Sequence, residues 1–430
     1  MRVRHWNDVI VGKVIHFVGR LTDEVFSFLS PALQVLAEAG VRQTLLVVDD
    51  ARSRRLLAGL HHTIDIVLTR EARSTARRWV ASLNALRRTL ESGPVVSIHL
   101  HGLVPAMLAP YVMRSLKVTV PVFYSPHGSR ALGSFSAIGR VLWRASGMLQ
   151  GATARRPIAS MPTDARVLGR LIGEQVGVID SPVDDAFFTA ARFDGHYESP
   201  RPIVITAARV EDADHAALMS QLAVLLFDEV PAPGFNWIGP VSGDSLKRLK
   251  AAKTEVSDIP NEIDRAIKLS AASIYLAGGK TRGFPLALAE AMAVGLPCVA
   301  LDTPWHRDLL RHDETGFLCS SLDEMLHHVA RLLAQPELRE RIGAAARQEA
   351  QARFTHDAFR ESLLSAYDVH VLAGPMRPAA FEPAEAPPQA LAHASAHAST
   401  HAAAHAVPHS SLQARDHSPA RSASTREISR

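Results

Sequence analysis

The sequence has little of what marks a secreted or membrane-spanning protein. It contains only two cysteines, Cys298 and Cys319, both in apolar surroundings. Two cysteines do not form a disulfide framework, so we expect small buried side chains in a reducing compartment. No apolar stretch approaches the ~20 residues of a membrane-spanning helix, and the N-terminal residues lack the long apolar core of a signal peptide. We therefore predict a cytoplasmic location, with any membrane contact peripheral at the inner face.

A strong charge of either sign is also missing. The 47 Lys and Arg residues exceed the 43 Asp and Glu residues by four, and so small a surplus predicts no nucleic-acid partner. Basic residues are nevertheless concentrated in segment 70–91, which holds six Arg and two Glu. The apolar residues of this segment are Trp79, Val80, Leu83, Leu86 and Leu90. Such a helix can contact an anionic membrane; our preferred interpretation is an ordinary helix packed on its sheet.

Apolar periodicity is abundant, because 47% of the 430 residues are hydrophobic, enough for two cores. In the first half, continuous apolar runs alternate with helical spacing, which is typical of a parallel sheet covered on both faces. The predicted strands are Val14 to Val18, Thr44 to Val48, Ile64 to Leu68, Val95 to Leu100 and Val120 to Tyr124. The predicted helices are Asp23 to Ala39, Thr75 to Leu90 and Val104 to Leu116.

The same pattern restarts near residue 201. The predicted strands are Ile203 to Ala207, Asn236 to Gly239, Ser273 to Ala277 and Pro297 to Leu301; the predicted helices are Ala216 to Leu226, Ser245 to Ala252, Asn261 to Ser270 and Leu286 to Ala293. We predict an α/β protein with two Rossmann-like, doubly wound domains, residues 1–182 and 183–354, facing a central cleft at their strand ends. Residues 355–373 form a predicted crossover helix onto the first domain.

The last segment, 374–430, is rich in Ala, Pro, Ser and His and has few large apolar residues. It cannot bury enough surface to offset the entropy of ordering, so we predict a disordered tail. Histidines recur in it every four residues, at His393, His397, His401, His405 and His409. We interpret the repeat as compositional drift. A transition-metal stripe on a helix is the alternative.

A glycine-rich loop followed by a helix is the most informative local pattern. A predicted strand ends at Ala277, glycines follow, and Pro285 stands in the first turn of the next helix. The exposed N–H groups at this helix start, together with the positive end of its dipole, suit a diphosphate. Glu290, on the same helix, is placed to accept hydrogen bonds from vicinal ribose hydroxyls.

The sequence of this stretch, RGFPLALAEAMAVGLPCVA (282–300), resembles the donor-binding signature of family 4 glycosyltransferases. That large retaining family has the GT-B fold, and its signature is Glu, seven residues, Glu, in a form like EGFPLxLLEAMAxGxPVVA. RPIVITAARV (201–210), VGVIDSPVDDAFF (176–188), VSIHLHG (96–102) and FYSPHGSR (123–130) resemble further elements of the family. The resemblance covers about residues 13–370 and implies a GT-B architecture.

The resemblance also assigns roles. Arg209 falls on the family's phosphate-binding Arg, and His127 falls on the histidine that contacts the donor sugar. Two weaker candidates, His99 and His101, share one face of a strand, from which only the strand-end residue would reach the cleft. The catalytic candidates are His127, Arg209 and Arg282, and the donor-binding candidates are Gly19, Lys280, Gly283, Phe284, Pro285, Leu286 and Glu290. No metal ligand is predicted.

Two positions depart from the family pattern. Arg282 replaces the first Glu of the signature, and Asp214 replaces a phosphate-binding Lys. A carboxylate in place of an ammonium beside a diphosphate costs on the order of several kcal/mol. Arg282 and Lys280 could rebuild the phosphate site, or Arg282 could pair with the carboxylate of an acidic sugar. The remaining alternative is a site that has lost its activity.

The resemblance implies transfer of a sugar from a nucleoside diphosphate sugar, with retention at the anomeric carbon and without an obligatory metal or other cofactor. The expected acceptor is a glycan or a lipid-linked molecule, in surface polysaccharide or glycoconjugate synthesis. A non-catalytic GT-B protein that binds nucleotide, glycan or a partner enzyme is the alternative. A sugar-phosphate synthase-like activity ranks lower, because the N-terminal half shows no phosphate-rich acceptor site.

Overall fold

The computed structural model describes residues 12–70, 74–127, 155–190, 201–208, 212–228, 232–279 and 283–367. Three predicted site residues, Arg209, Lys280 and Arg282, lie outside these ranges. The predicted tail, 374–430, and its five repeated histidines also lie outside them.

The first lobe contains a seven-stranded parallel sheet in the order β3-β2-β1-β4-β5-β6-β7. Its strands are β1 (Lys13–Val18), β2 (Arg42–Asp49), β3 (Ile64–Arg70), β4 (Val95–His101), β5 (Val122–Ser125), β6 (Arg155–Ala159) and β7 (Gly177–Val178). Its helices are α1 (Asp23–Glu38), α2 (Ala51–Leu57), α3 (Thr75–Glu91), α4 (Leu103–Ser115) and α5 (Pro162–Ile172).

The second lobe contains a six-stranded parallel sheet in the order β10-β9-β8-β11-β12-β13. Its strands are β8 (Ile203–Ala207), β9 (Gly234–Ile238), β10 (Glu255–Ser257), β11 (Ile274–Ala277), β12 (Cys298–Leu301) and β13 (Phe317–Cys319). The remaining helices are α6 (Asp185–Thr189), α7 (Ala213–Leu225), α8 (Gly243–Ala251), α9 (Glu262–Ser270), α10 (Leu286–Ala293), α11 (Pro304–Arg307), α12 (Leu322–Ala334), α13 (Pro336–Arg353) and α14 (His356–Ala366).

Burial on both faces explains why the strands of the first lobe are continuous apolar runs. Successive residues of β1 point to opposite sides of the sheet. Ile15 lies in one core with Leu86 of α3, whereas Val14 lies in another with Phe28 of α1 and Phe359 of α14. The α/β class with two Rossmann-like lobes is confirmed.

The element edges agree with the sequence in most places. β8 and α10 have the predicted limits, and most other predicted edges differ by one to three residues. The sequence analysis did not predict β6, β7, β10 and β13; the last three have only two or three residues, too few to show a period. It also did not predict helices α2, α5, α6, α11, α12 and α13. None of the described helices is long and apolar enough to cross a membrane.

Helix α14 follows the second lobe but packs on the first. Leu363 and Tyr367 lie in the same core as Phe28 of α1, and Arg360 forms an ion pair with Glu38 at 2.9 Å. The two chain segments that join the lobes also contact each other directly. The Val183 N–H donates to the carbonyl of Phe354 at 2.8 Å, and the Arg353 guanidinium pairs with Asp180 at 3.0 Å. The domain limits given above remain predictions.

Candidate functional site

The glycine loop, residues 278–285, leads from β11 into α10. A Cβ on Gly278 would lie 2.6 Å from Leu218 Cδ2 and 2.8 Å from His215 Cδ2, so the turn after the strand has room only for glycine. Gly283 has a φ of 124°, which a residue with a side chain rarely adopts. The conformation of the loop therefore requires glycine at positions 278 and 283.

His215 forms a hydrogen bond with the first residue of the glycine loop. Its ring Nε2 accepts a hydrogen bond from the Gly278 N–H at 3.2 Å, while its backbone N–H donates to the carboxylate of Asp212, the N-cap of α7. Burial lowers the pKa of His215 to about 4, which keeps Nε2 available as an acceptor at neutral pH. Sequence analysis missed His215, because nothing in the local pattern of α7 separates a buried histidine from an exposed one. Asp214, which the sequence analysis aligned with a lysine of the resembled family, lies in the first turn of α7.

Five predicted donor-binding residues follow one another in the loop and in α10. Gly283 and Phe284 precede Pro285, which is the N-cap of the helix, and Leu286 is its first residue. The Phe284 ring lies edge-on against Phe354, with 5.5 Å between centroids. The eight-residue helix then carries Glu290 into the interior of the lobe.

Glu290 forms a buried ion pair with Arg265 of α9. The Arg265 Nη2 and Nε atoms donate to the two carboxylate oxygens at 3.0 and 3.3 Å, and Glu290 is only 2% exposed. Arg265 also lies over the Phe187 ring, 5.3 Å from its centroid. Desolvation opposes ionisation of Arg265, but the charges of Glu290 and Glu262 outweigh it and raise the pKa of the guanidinium.

Arg265 is a site residue that the sequence analysis did not select. The signal was its position on the buried face of α9, which it shares with Ala266 and Leu269. A charged side chain on an apolar helix face needs a buried partner of opposite charge. The sequence alone does not say that this partner is Glu290, 25 residues further along the chain.

In the first lobe, Gly19 and His127 lie just beyond the ends of β1 and β5. The Gly19 N–H donates to the carbonyl of His101 at 3.3 Å, and a Cβ there would lie 3.0 Å from Pro105 and 3.1 Å from Trp79. His127 has a φ of 50°, in the left-handed region that non-glycine residues rarely occupy. The candidates of this lobe are therefore at the carboxyl edge of its sheet, and the described part of the glycine loop follows the carboxyl end of β11 in the second lobe.

His16, His99, His101 and His127 form what we call the histidine cluster. His16 is paired with His99 in the sheet register, and the first three histidines are almost fully buried. The sequence analysis correctly placed His99 and His101 on one face of β4. Nitrogen atoms of His16, His99 and His101 all lie within 4.8 Å of one another, close enough for a common metal ion, whereas the sequence analysis predicted no metal ligand.

Burial keeps the histidine cluster uncharged. It lowers the pKa of His16 to about 4 and that of His127 to about 3. For His99 and His101, burial is again the largest cause of a pKa far below the ordinary value, and the neighbouring histidines add to it. The four rings therefore interact as neutral imidazoles at physiological pH.

The Arg265–Glu290 pair yields a stability prediction. We expect Arg265→Met to lower the free energy of unfolding by about 3 kcal/mol, since it removes the guanidinium from a buried carboxylate. Lys268→Met on the same helix should cost less than about 1 kcal/mol, because Lys268 pairs with the largely exposed Glu255. Urea unfolding followed by circular dichroism measures both variants. Equal losses would show that the buried pair contributes no more than the exposed one.

Known proteins resemble this chain over part of the second lobe. Residues 247–349 match the family described as Glycosyl transferases group 1. Over 101 residues the chain is 38% identical to an uncharacterized glycosyltransferase of Haemophilus influenzae, covering 22% of this chain and 29% of that relative. The chain therefore spans less than a third of the length of this curated relative.

Solved structures resemble the whole described fold. The Anabaena protein HepE, crystallised with UDP and glucose, has a TM-score of 0.65 and 14% identity over 83% of this chain and 99% of its own. A glycosyltransferase from Rickettsia africae has a TM-score of 0.66 and 13% identity over 84% of this chain and 99% of its own. The chain therefore has the two-lobed GT-B fold, and residues 247–349 are similar to the group 1 glycosyl transferases.

Proposed function

We propose that this protein transfers a glycosyl unit from a nucleoside diphosphate sugar to an acceptor hydroxyl. The observation that carries the proposal is the position of Glu290, a buried carboxylate one turn inside a helix that begins at the glycine loop. This arrangement lies within residues 247–349, the part similar to group 1 glycosyl transferases.

The chemistry requires stabilisation of a diphosphate as its bond to the sugar breaks. Loop N–H groups and the positive end of the α10 dipole supply part of that stabilisation. We propose that Arg209, Lys280 and Arg282 supply the remaining positive charge. This assignment is based on the sequence alone. Retention at the anomeric carbon and independence from a metal or other cofactor are further parts of the proposal, supported by the family resemblance.

A uridine diphosphate sugar is our proposed donor, because the similar Anabaena structure contains UDP and glucose. In this proposal the Glu290 carboxylate accepts hydrogen bonds from the ribose hydroxyls, since carboxylate oxygens are acceptors. In this role Arg265 holds the carboxylate in place, and its own charge offsets that of Glu290 before the nucleotide binds.

The role of Glu290 predicts discrimination between two nucleotides. Wild-type protein should bind UDP at least about tenfold more tightly than 2′-deoxy-UDP, since a hydrogen bond to a charged group contributes about 1.5–3 kcal/mol. Glu290→Gln should reduce this ratio towards one, whereas Glu262→Gln should preserve it. Glu262 is the control because it contacts the same Arg265 at 3.6 Å but is half exposed. Isothermal titration calorimetry gives both affinities, and a wild-type ratio near one rejects the ribose contact.

The substitution at Arg282 predicts a preference for an acidic sugar. UDP-glucuronic acid should raise the melting temperature more than UDP-glucose, because a guanidinium binds a carboxylate in bidentate geometry. The difference should disappear in Arg282→Glu. Equal shifts with both donors in the wild type would discard the acidic-sugar hypothesis and leave Arg282 as a phosphate contact.

A non-catalytic GT-B protein is the second candidate function, favoured by Asp214 in the first turn of α7. The two functions differ in turnover. Release of UDP from a panel of UDP-sugars, lost in Glu290→Gln, supports the enzyme. UDP binding without release from any donor supports the alternative.

The acceptor is proposed from the surface of the first lobe. Leu86 and Leu90 of α3 are buried against the sheet, which supports the interpretation of α3 as an ordinary packed helix. An apolar groove of about 340 Å³ nevertheless remains between α3 and α4. Leu83, Met107, Leu108 and Tyr111 line it, and arginines of α3 flank these residues in sequence. A lipid-linked or glycan acceptor at an anionic membrane suits a basic, apolar surface.

This surface predicts binding to anionic vesicles. Wild-type protein should sediment with phosphatidylglycerol vesicles and much less with phosphatidylcholine vesicles. Tyr111→Asp should weaken sedimentation several-fold, because it places a negative charge on a side chain that is 47% exposed. Val224→Asp, at a 64% exposed position of α7, is the matched control and should bind normally. Equal binding to both vesicle types would remove the membrane from the proposal.

A further inference from the structure

Three histidines of the cluster form a chain that ends at His127. His16 Nδ1 lies 3.2 Å from His101 Nε2, and His101 Nδ1 lies 2.8 Å from His127 Nε2. The His16 and His101 rings stack with 5.5 Å between centroids, and the His101 and His127 rings with 5.1 Å. One continuous line of ring nitrogens thus runs from the interior of the sheet to the proposed sugar contact.

Neutral imidazoles make such a chain directional. Each ring has one N–H donor and one nitrogen lone pair, and burial keeps all three rings uncharged. Every link therefore needs one protonated and one unprotonated nitrogen. Fixing the proton on His16 fixes the tautomers of His101 and His127 as well.

Gln43 of β2 sets the direction. Its Nε2 donates to the carbonyl of Leu33 at 2.7 Å, which fixes the orientation of the amide. In the β1–β2 register Gln43 pairs with Val14 and Leu45 pairs with His16, so Gln43 and His16 are diagonal neighbours on one face of the sheet. Gln43 Oε1 and His16 Nε2 are both buried, and neither has an ordinary hydrogen-bond partner among the described residues. An amide oxygen only accepts, so a proton on His16 Nε2 is favourable there, whereas a bare nitrogen would face a bare oxygen.

We propose that Gln43, His16 and His101 are positioning residues that hold His127 as its Nε2–H tautomer, with Nδ1 left as an acceptor. The protons follow in order: His16 Nε2–H faces Gln43, His101 Nε2–H donates to His16, and His127 Nε2–H donates to His101. Resting on the proposed function, His127 Nδ1 accepts a hydrogen bond from a hydroxyl of the donor sugar. The residue cannot donate to the sugar oxygen from that atom.

The backbone at His127 fits a positioned side chain. A left-handed φ is uncommon at a non-glycine residue and persists only where the surroundings enforce it. The bond to His101 and the Phe28 ring, 5.4 Å from the His127 ring centroid, supply that enforcement.

A metal ion is the competing explanation for the same contacts. The 3.2 Å between His16 and His101 would also suit two ligands of a tetrahedral zinc ion. The contacts of His99 argue against a metal ion. Its Nδ1 contacts the Tyr367 hydroxyl at 2.5 Å, and its Nε2 contacts Ser125 Oγ at 2.9 Å. Both nitrogens of His99 are thus engaged, and the hydrogen-bonded chain accounts for the remaining contacts.

The test is ¹⁵N NMR of the full-length protein labelled at histidine, with signals assigned by loss in His127→Ala and His101→Ala. We expect a pyrrole-type Nε2 and a pyridine-type Nδ1 for His127; the reverse pattern overturns the proposal. Gln43→Met should move the Nδ1 signal towards the pyrrole type. Gln34→Met, at an exposed glutamine of α1, should leave it unchanged. No change in Gln43→Met overturns the role of Gln43, and the wild-type spectrum decides the tautomer even if that variant fails to fold.

Adding nucleotides tests the sugar contact, and adding Zn²⁺ tests the metal-site alternative. UDP-glucose, but not UDP, should shift His127 Nδ1, because only UDP-glucose has a sugar hydroxyl that can donate to it. UDP-glucose binding without that shift overturns the sugar contact while the tautomer stands. Failure to bind UDP instead rejects the proposed function. One equivalent of Zn²⁺ should leave the His16 and His101 signals unchanged. A shift of both, absent in His16→Phe, would establish a metal site and overturn the chain.

Discussion

Burial of both faces of the central strands in two parallel sheets constrains the polar groups on those strands. A side chain on either face meets a covering helix, so a polar group there must find its partner inside the protein. Glu290 forms an ion pair with Arg265 in the second lobe. In the first lobe, His16, His101 and His127 are linked through their ring nitrogens. Free polar chemistry is left to the strand ends, where backbone N–H groups and loop side chains reach solvent.

The two lobes meet this constraint by different means. The second lobe places opposite charges together, which requires good geometry because desolvation of both ions is costly. The first lobe uses groups that lose their charge on burial, since an imidazole can be neutral at physiological pH while a guanidinium cannot. The interior polar groups of the two lobes therefore differ in charge: the second lobe holds an ion pair and the first holds neutral rings.

The sequence predicted the fold and the position of the glycine loop, but not the contacts that complete the site. Apolar runs alternating with helical spacing are local patterns, and they located β8 and α10 with their observed limits. The pairing of Arg265 with Glu290 depends on the placement of α9 and α10, which both contact α6, and no local pattern specifies that placement. His99 and His101 share a face by simple alternation, yet their approach to His16 depends on the register between β1 and β4.

The contact between His99 and Tyr367 joins residues that are 268 positions apart. During synthesis the ribosome must therefore make both lobes before the last helix can cover the sheet formed first. Until then Phe28, Phe123 and the imidazole of His99 lack the cover that α14 provides in the finished protein. Completion of the proposed sugar-binding edge is thus coupled to translation of nearly the entire folded region, and a prematurely terminated chain would lack a finished first lobe.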